Sequence, residues 1–416
     1  MSQQVVVVGA GYAGAGTVKA FEDAIEPGEA ELTWVSDHEY HLVLHESHRV
    51  IRKPAVESKV AIPVDEIKGD DTQFVKGRVV EVDTDEQVVH TRGGEAIDYD
   101  YLLVGVGSAT AFFGIPGLRE HALTLKSLDD AREIHQAVKT AGQDATTTDP
   151  AKVLVGGAGL SGIQSAGEIA EFRDDNKAPI EIELVEGLDS VFPNNDPEVQ
   201  GAIRKRLDDK DIGVSTGEFI SKVDENAVYL GGAEEEYYGE DGEGDAPAED
   251  EIDFSDDLVM DYDVLLWTGG ITGQPEVEEF HLDADDRSNR VYAESTFETS
   301  DDNVFAIGDT ALVDQGDEEF APPTAQAAWQ AAEVAGENLA RAVRGAPLKS
   351  WQHEDKGTLI SVGEEAVAHD VQVPGFSVLP NTFGGPAAKA LKKAVASRWI
   401  ADVSGYGRAL NAWSDM

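Results

Sequence analysis

Short runs of aliphatic residues alternate with longer amphipathic stretches along this chain, and two of the runs lead directly into glycine-rich loops. Val5–Val8 precedes Gly9-Ala-Gly11-Tyr-Ala-Gly14, and Val153–Val155 precedes Gly157-Ala-Gly159-Leu-Ser-Gly162. A buried strand, a glycine turn and a helix in this order begin a dinucleotide-binding βαβ unit. The pattern therefore predicts an α/β fold with two Rossmann-like dinucleotide-binding domains.

The three glycines of each loop have separate roles in such a unit. The first permits the sharp turn, the second lets backbone N–H groups approach a pyrophosphate, and the third lets the helix pack against the strand. The N-terminus of the helix attracts the anion. Because each loop follows a strand pattern and precedes a helical one, we expect two bound dinucleotides rather than two turns that bind nothing.

An acid at the end of the second strand of each unit is expected to bind ribose hydroxyls. Ile180–Val185 ends at Glu186, and a carboxylate there repels a 2′-phosphate, which predicts NADH rather than NADPH. In the first unit Leu32–Val35 is followed by Ser36 and then Asp37, so the acid is missing or one position late. Either acid is alternatively an ordinary solvated strand end.

Later segments complete the two units. Tyr101–Gly107 and Tyr262–Gly270 resemble each other as closing strands, and Asn303–Asp309 predicts a further buried strand, followed by a helix from Pro323 to Arg344. Residues 233–257 contain 13 acids and no basic residue, which predicts a solvated insertion. We expect one domain from 1–118 and 296–350, a second from 119–295, and a small C-terminal region from 351–416.

Composition restricts the possible functions. The chain has 81 acidic and 32 basic residues, a net charge of −49, spread among 41% hydrophobic residues. This indicates a salt-rich cytoplasm and argues against nucleic acid as a partner. The absence of cysteine excludes a thiol nucleophile, a redox disulfide and an iron–sulfur cluster. Without a signal-peptide pattern or a long apolar run, we expect a cytoplasmic protein or one peripheral on the cytoplasmic membrane face.

Two glycine loops followed by Gly308-Asp309 resemble the FAD-containing pyridine-nucleotide oxidoreductases with two dinucleotide domains. The resemblance implies that FAD binds the first loop and NADH the second. The FAD residues would include Asp37, Gly107, Gly308 and Asp309, whose carboxylate would meet the ribityl chain; Glu186 and Gly269 would serve NADH. Asp309 is alternatively a helix N-cap at its strand-to-helix turn.

Within that class the chain resembles type II NADH dehydrogenases, which are single-chain NADH:quinone oxidoreductases. The sequence segments that carry this resemblance are Tyr40-His41, Gly114–Gly117, His121–Leu128 and Pro322–Gln330. The resemblance implies hydride transfer from NADH to flavin and electron transfer to a quinone, expected to be menaquinone, without proton pumping. An NADH-dependent reductase of a soluble carrier and a non-catalytic redox-sensing flavoprotein remain alternatives.

The resemblance also suggests catalytic residues. Ala325–Gln330 matches an AQxAxQ signature at the quinone side of the flavin, where Ala325 lets the backbone approach the ring and Gln326 and Gln330 offer groups to a quinone carbonyl. Lys356 would stabilise anionic reduced flavin. The alternatives are an ordinary alanine-rich helix and a surface lysine.

One position departs from the family pattern. Gln164 stands where the family usually has a glutamate close to flavin and nicotinamide. A glutamine can hold a hydrogen bond there but cannot relay a proton. Glu168, one turn later, is assigned to helix packing.

A histidine cluster and a basic C-terminal stretch say less about function than the motifs above. His38, His41, His45 and His48 have the spacing of one helical face, but a strand-to-helix junction breaks that face, so we expect no metal site. The C-terminal stretch from Gly384 to Met416 has five basic residues, two acids and an apolar stripe: Ala388, Leu391, Val395 and Trp399. It predicts a basic amphipathic helix at a membrane or dimer contact; packing on the acidic body of the enzyme is the alternative.

Overall fold

The computed structural model describes residues 2–231, 257–372 and 380–415. The predicted acidic insertion therefore lies outside the described residues, apart from Asp257. The described chain forms a mixed α/β fold built on two parallel sheets.

The first sheet has five parallel strands, and its centre is the valine run at the N-terminus. In spatial order the strands are Val304–Ala306, Tyr101–Val104, Gln3–Val8, Ala30–Ser36 and Gln73–Lys76. All four residues Val5–Val8 are buried, as expected for a strand covered on both faces. The strand Val304–Ala306 joins this sheet from a distant part of the sequence, which brings Gly308 and Asp309 beside the first glycine loop.

The second sheet has four parallel strands and repeats the arrangement of the first. Its order is Ile212–Thr216, Ile180–Glu186, Ala151–Gly156 and Val264–Trp267. The carboxyl ends of the first-sheet and second-sheet strands carry the two glycine loops. Ligands of open α/β sheets bind at this edge.

Two helices start directly at the glycine loops, Tyr12–Ala24 and Leu160–Asn176. The first of them packs closely against the helix Ala325–Val343, because Gly336 has no side chain where it meets Ala20. Two further helices lie beside the second sheet's strands in the sequence: Leu128–Asp144, which begins with a Ser127–Asp130 capping box, and Pro197–Asp209. Short helical turns lie at Leu44–Glu46, Arg49–Arg52, Pro54–Val56, Glu57–Val60, Val64–Glu66, Leu118–His121, Pro275–Glu279 and Gly308–Thr310.

Smaller sheets surround the two main ones. They are formed by Tyr40–Leu42 with Ala61–Pro63; Val79–Asp83, Val88–Thr91 and Ala96–Asp98; Ser108–Thr110 with Ile271–Gly273; Ile220–Asp224, Ala227–Leu230 and Leu258–Asp261; and Val291–Ala293, Ala311–Gly316 and Glu319–Phe320.

The C-terminal region contains a small antiparallel sheet and two helices. The strands are Thr358–Val362, Glu365–His369 and Thr382–Gly384, and the helices are Pro386–Ser404 and Tyr406–Ala412. Among the described residues, no helix combines the length and apolar character that a bilayer crossing requires.

The helix Pro386–Ser404 does not present the predicted apolar stripe on one exposed face. Ala388 and Trp399 are buried in the body of the protein, whereas Val395 is exposed and Leu391 is half-buried. Two of its lysines are also paired inward, Lys389 with Glu364 and Lys392 with Glu46. Much of the predicted amphipathic character therefore serves to attach this helix to the acidic body.

Candidate active site

A single deep cleft of about 1990 Å³ collects most of the residues singled out in the sequence. Those that line it are Gly9, Gly11, Asp37, Gly107, Gln164, Gly308, Asp309, Ala325, Gln326, Gln330 and Lys356. Gly14 lies behind this surface, and Gly157, Gly159, Gly162, Glu186 and Gly269 lie outside the lining. The second loop still adjoins the cleft, because Leu160 and Ser161 line it.

The first glycine loop has the geometry of an anion cradle. Gly9 has φ +105°, and a side chain there would overlap the carbonyl oxygen of Gly105. A Cβ on Gly14 would overlap the carbonyl oxygen of Gly9, so the helix sits directly on the turn. Gly11 faces open space, and none of the described side chains caps the helix that follows it. Backbone N–H groups at this helix start are thus free to receive an anion.

The second loop repeats these three roles. Gly157 has φ +93°, and a Cβ there would come within 2.7 Å of the Cα of Gly269. Gly162 sits against the carbonyl oxygen of Gly157, and Gly159 again faces open space. Gly159 precedes a helix whose start receives no side-chain cap from the part of the chain that the structure describes. The two loops are therefore alike at the level of individual glycines.

The two candidate ribose acids have different surroundings. Glu186 turns toward its own glycine loop, where Oε2 accepts a hydrogen bond of 2.7 Å from the Ala158 N–H. Asp37 lies in the cleft and pairs with Arg78, whose Nη1 is 3.1 Å from Oδ2. Arg78 also holds Glu276, which belongs to a turn after the second sheet. The displaced acid of the first unit is thus part of an ion-pair group that joins distant segments.

Asp309 is connected to a lysine that the sequence did not single out. Its Oδ2 accepts a hydrogen bond of 2.9 Å from Ser108 Oγ, and Lys126 Nζ donates to the same hydroxyl at 3.0 Å. Burial lowers the pKa of Lys126, although the Asp309 charge opposes this. Thr324, rather than Asp309, caps the helix at Ala325. Lys126 therefore places a cation at the wall of the cleft next to Asp309.

Gln326 and Gln330 hold a loop in place. Gln326 accepts from the Lys356 N–H at 2.7 Å and donates to the Gly357 carbonyl at 3.2 Å. Gln330 makes the equivalent pair of hydrogen bonds with the backbone of Glu354, at 3.1 and 2.8 Å. The Lys356 ammonium pairs with the Glu354 carboxylate. The signature glutamines thus fix residues 354–357 at the cleft wall.

Gln164 is buried and belongs to a hydrogen-bonded trio. Its Nε2 donates to Ser361 Oγ at 3.1 Å, and His48 Nε2 lies 3.2 Å from the same hydroxyl. Burial lowers the pKa of His48 well below its usual value, so this imidazole is neutral. Gln164 and His48 both line the cleft. The glutamine therefore keeps a hydrogen-bonding role at the position expected to be close to nicotinamide.

The four histidines are separated by secondary structure. His41 is in a strand, His45 is in a helical turn, and His48 precedes the next helix. His41 Nδ1 contacts the Ala10 carbonyl at 2.8 Å, its Nε2 accepts from the Trp399 indole at 2.8 Å, and burial lowers its pKa to about 4. The described residues contain no cluster of three or more side chains suited to a metal ion.

The sequence did not predict a buried ionic group at the wall of the cleft, which Lys392 lines. Glu46 pairs with both Arg49 and Lys392, and all three side chains are buried. Burial alone would raise the pKa of Glu46, but the charges of Lys392 and Arg49 outweigh it and lower that pKa well below the usual range. Because Glu46 and Lys392 are 346 positions apart, the local pattern around either residue contains no sign of the pairing.

Fold and site together define a two-dinucleotide oxidoreductase. The chain belongs to the pyridine nucleotide-disulphide oxidoreductase family, whose model matches residues 3–332. The disulphide of the family name has no counterpart here, because the chain has no cysteine.

Similarity extends over the whole chain. A type II NADH:quinone oxidoreductase from Staphylococcus aureus is 28% identical over 424 aligned residues, covering 98% of this chain and 97% of that protein. The fold matches NDH2 from Plasmodium falciparum in complex with NADH, with a TM-score of 0.79 at 14% identity over 100% of this chain and 98% of the other. It also matches the sulfide:quinone oxidoreductase of Aquifex aeolicus, with a TM-score of 0.75 at 15% identity, covering 98% and 93%.

Proposed function

We propose that this protein is an FAD-dependent NADH:quinone oxidoreductase. The observation that carries the proposal is one cleft in which the cradle of the first glycine loop, the start of the second loop's helix and the signature glutamines meet. The full-length similarity to a type II NADH:quinone oxidoreductase supports it. Residues 1–118 with 296–350 would hold FAD, 119–295 would hold NADH, and 351–416 would complete the acceptor side.

The residues of the cleft fit FAD. The open face of Gly11 and the uncapped helix behind it suit a pyrophosphate, which a side chain at this position would displace. Asp37 suits a ribose, and Asp309 with Ser108 offers acceptors and a donor to a polyol chain. Bound flavin would supply the capacity to accept a hydride and pass on two electrons.

The second loop fits NADH for the same reason. Gly159 is open, and Glu186 stands at the end of the neighbouring strand. Leu160 and Ser161 of this loop line the cleft, so a dinucleotide bound at the loop would have access to it. Gln164, on the same helix, orients groups at this junction by hydrogen bonding.

The other end of the cleft is suited to a flat, apolar acceptor. Trp329, Leu391 and Val395 line it together with the Arg398 guanidinium, which lies 5.7 Å from the Trp329 ring centre. Gln326 and Gln330 hold residues 354–357 at this end, so they shape the acceptor site through the loop. Apolar walls with few placed polar groups are typical of small-molecule sites. We take the acceptor to be a quinone, with menaquinone as the first choice.

Steady-state NADH oxidation against quinones and soluble electron carriers tests this function. Turnover with a menaquinone analogue, in the ordinary range of about 1 to 10³ per second, is expected, together with little turnover with ferredoxin-type carriers. The opposite preference would establish a soluble-carrier reductase. Flavin reduction by NADH with no turnover on any acceptor would indicate a redox-sensing protein.

We also propose that the C-terminal helices touch a membrane surface peripherally. Tyr406 is 81% and Leu410 77% exposed, and Trp413 is exposed beside them. Large exposed side chains of this kind on a C-terminal helix are suited to a lipid interface.

Vesicle flotation in molar salt tests this contact. The triple change Tyr406→Ser, Leu410→Ser and Trp413→Ser is expected to reduce vesicle binding by at least about tenfold. The matched control replaces Tyr292 and Phe320, an exposed aromatic pair on a separate sheet, and should leave binding unchanged. An equal loss of vesicle binding in both variants, or no loss in either of them, would contradict the proposal.

A further inference from the structure

Glu168, assigned above to helix packing, is a buried carboxyl group that takes no part in the site described so far. It lies one helical turn beyond Gln164 and is 2% exposed. Its Oε1 has no hydrogen-bond partner among the described residues, and Arg49 Nη1 is 3.6 Å from that oxygen. A buried carboxylate with one distant ion pair is unfavourable relative to its protonated form.

Charged groups from several elements surround Glu168. The cations that interact with it are Arg49, Arg52 and Lys392, and the other carboxylates are Glu46, Glu171 and Glu364. The outer groups have further partners: Lys210 on Glu171, Lys53 and Lys389 on Glu364, and Asp175 on Arg52. His48 is neutral. Arg49, which pairs with Glu168, is held more closely by Glu46, so it compensates little for the burial of Glu168. Burial accordingly raises the pKa of Glu168 to about 7, against the opposing effect of Arg49 and Arg52.

Glu168 lies between the cleft and the protein surface. On the cleft side are Gln164 and His48, both within hydrogen-bonding reach of Ser361. On the outer side Arg52 binds Glu364, which is 40% exposed, and Asp175, which is 50% exposed. The row of polar groups therefore runs along one face of the helix from the cleft to water.

We propose that Glu168 is the residue that holds the proton consumed in quinone reduction. The inference rests on the proposed function. NADH gives the quinone a hydride, which is two electrons and one proton, so formation of the hydroquinone requires one further proton. Negative charge gained by the cleft during reduction favours a protonated Glu168. Release of that proton toward the quinone leaves the carboxylate, which solvent then reprotonates.

Glu168 acts through other groups and does not touch the quinone. His48 and Ser361 are groups on the cleft side that both accept and donate a proton. Gln164 cannot relay a proton, but its amide orients the Ser361 hydroxyl. This arrangement allows proton supply in a chain that has glutamine where a cleft-facing glutamate would be expected.

Infrared difference spectroscopy of the flavin-loaded enzyme tests the proposal. The wild-type protein should show the C=O stretching band of a protonated carboxyl group that disappears as the pH rises through about 7. Chemical reduction should move this midpoint to higher pH. Glu168→Gln should lack the band. The control Glu171→Gln, three positions further along the helix and paired with Lys210 in the wild type, should keep it.

Proton uptake provides a second measurement. Near pH 8, reduction of the wild-type enzyme should take up more protons than reduction of Glu168→Gln, by up to about one per molecule. An unchanged band and unchanged uptake in Glu168→Gln would overturn the proposal. Because reduction is done with dithionite and no quinone, these results do not depend on the acceptor. Failure of quinone turnover in the wild type would instead refute the proposed function.

Discussion

At the scale of single residues, the two glycine loops show how the same backbone geometry is used for different ligands. Gly11 and Gly159 have nearly identical extended conformations, with φ of −74° and −78°, and a methyl group added to either would meet no other atom within 4 Å. Both glycines leave open space in which an anion can approach the backbone. A methyl group at either position should therefore spare the fold and affect one ligand only.

The matched variants Gly11→Ala and Gly159→Ala test this separation. Gly11→Ala should lose bound flavin, with at least about a tenfold weaker FAD affinity, which corresponds to about 1.4 kcal/mol. Gly159→Ala should retain flavin and raise the KM for NADH by a similar factor. Flavin fluorescence released on dilution and NADH kinetics distinguish the two. Loss of flavin in both variants would show that the loops are not separate sites.

At the scale of secondary-structure elements, the sequence predicts those parts whose cause is local. The strand Gln3–Val8, the helix Leu160–Asn176 and the helix Ala325–Val343 each follow from hydrophobic period and adjacent glycines or caps. Side-chain partners that are distant in sequence are not predictable in this way. The Trp399–His41 hydrogen bond, for example, removes Trp399 from the predicted exposed stripe.

The glutamine signature illustrates the same limit. The sequence predicts its position at a helix start, yet the hydrogen bonds of Gln326 and Gln330 to residues 354–357 require a partner segment about 30 positions away. Lys126 lies within a segment shared with the family, but its link to Asp309 runs through Ser108, which is 18 positions from Lys126 and 201 positions from Asp309.

Removal of these amides should release the loop. Each glutamine makes two hydrogen bonds to the loop backbone, each contributing about 1 kcal/mol. Gln326→Ala and Gln330→Ala are therefore expected to lower quinone kcat/KM by about tenfold or more, while NADH-dependent flavin reduction remains. Limited proteolysis at residues 354–357 should be faster in these variants than in the wild-type protein. Normal quinone kinetics with a released loop would contradict a role for this segment in the acceptor site.

At the scale of the whole molecule, the charge of −49 dominates behaviour in solution. The Debye length falls from about 10 Å at 0.1 M salt to about 3 Å at 1 M, which removes most repulsion between exposed carboxylates. We expect the Tm to rise by several degrees between these concentrations, at saturating FAD, since each kcal/mol of added stability corresponds to about 2–4 °C in domains of 150–250 residues. A Tm that stays constant or falls would show that self-repulsion does not limit stability.

The flavin spectrum gives the most direct test of the central claim that one cleft passes electrons from NADH to a quinone. The protein purified in high salt should be yellow, and anaerobic addition of NADH should bleach the flavin absorbance. Addition of a menaquinone analogue should then restore it within the time of catalytic turnover. A colourless protein, or a flavin that NADH bleaches and quinone fails to reoxidise, would contradict the claim.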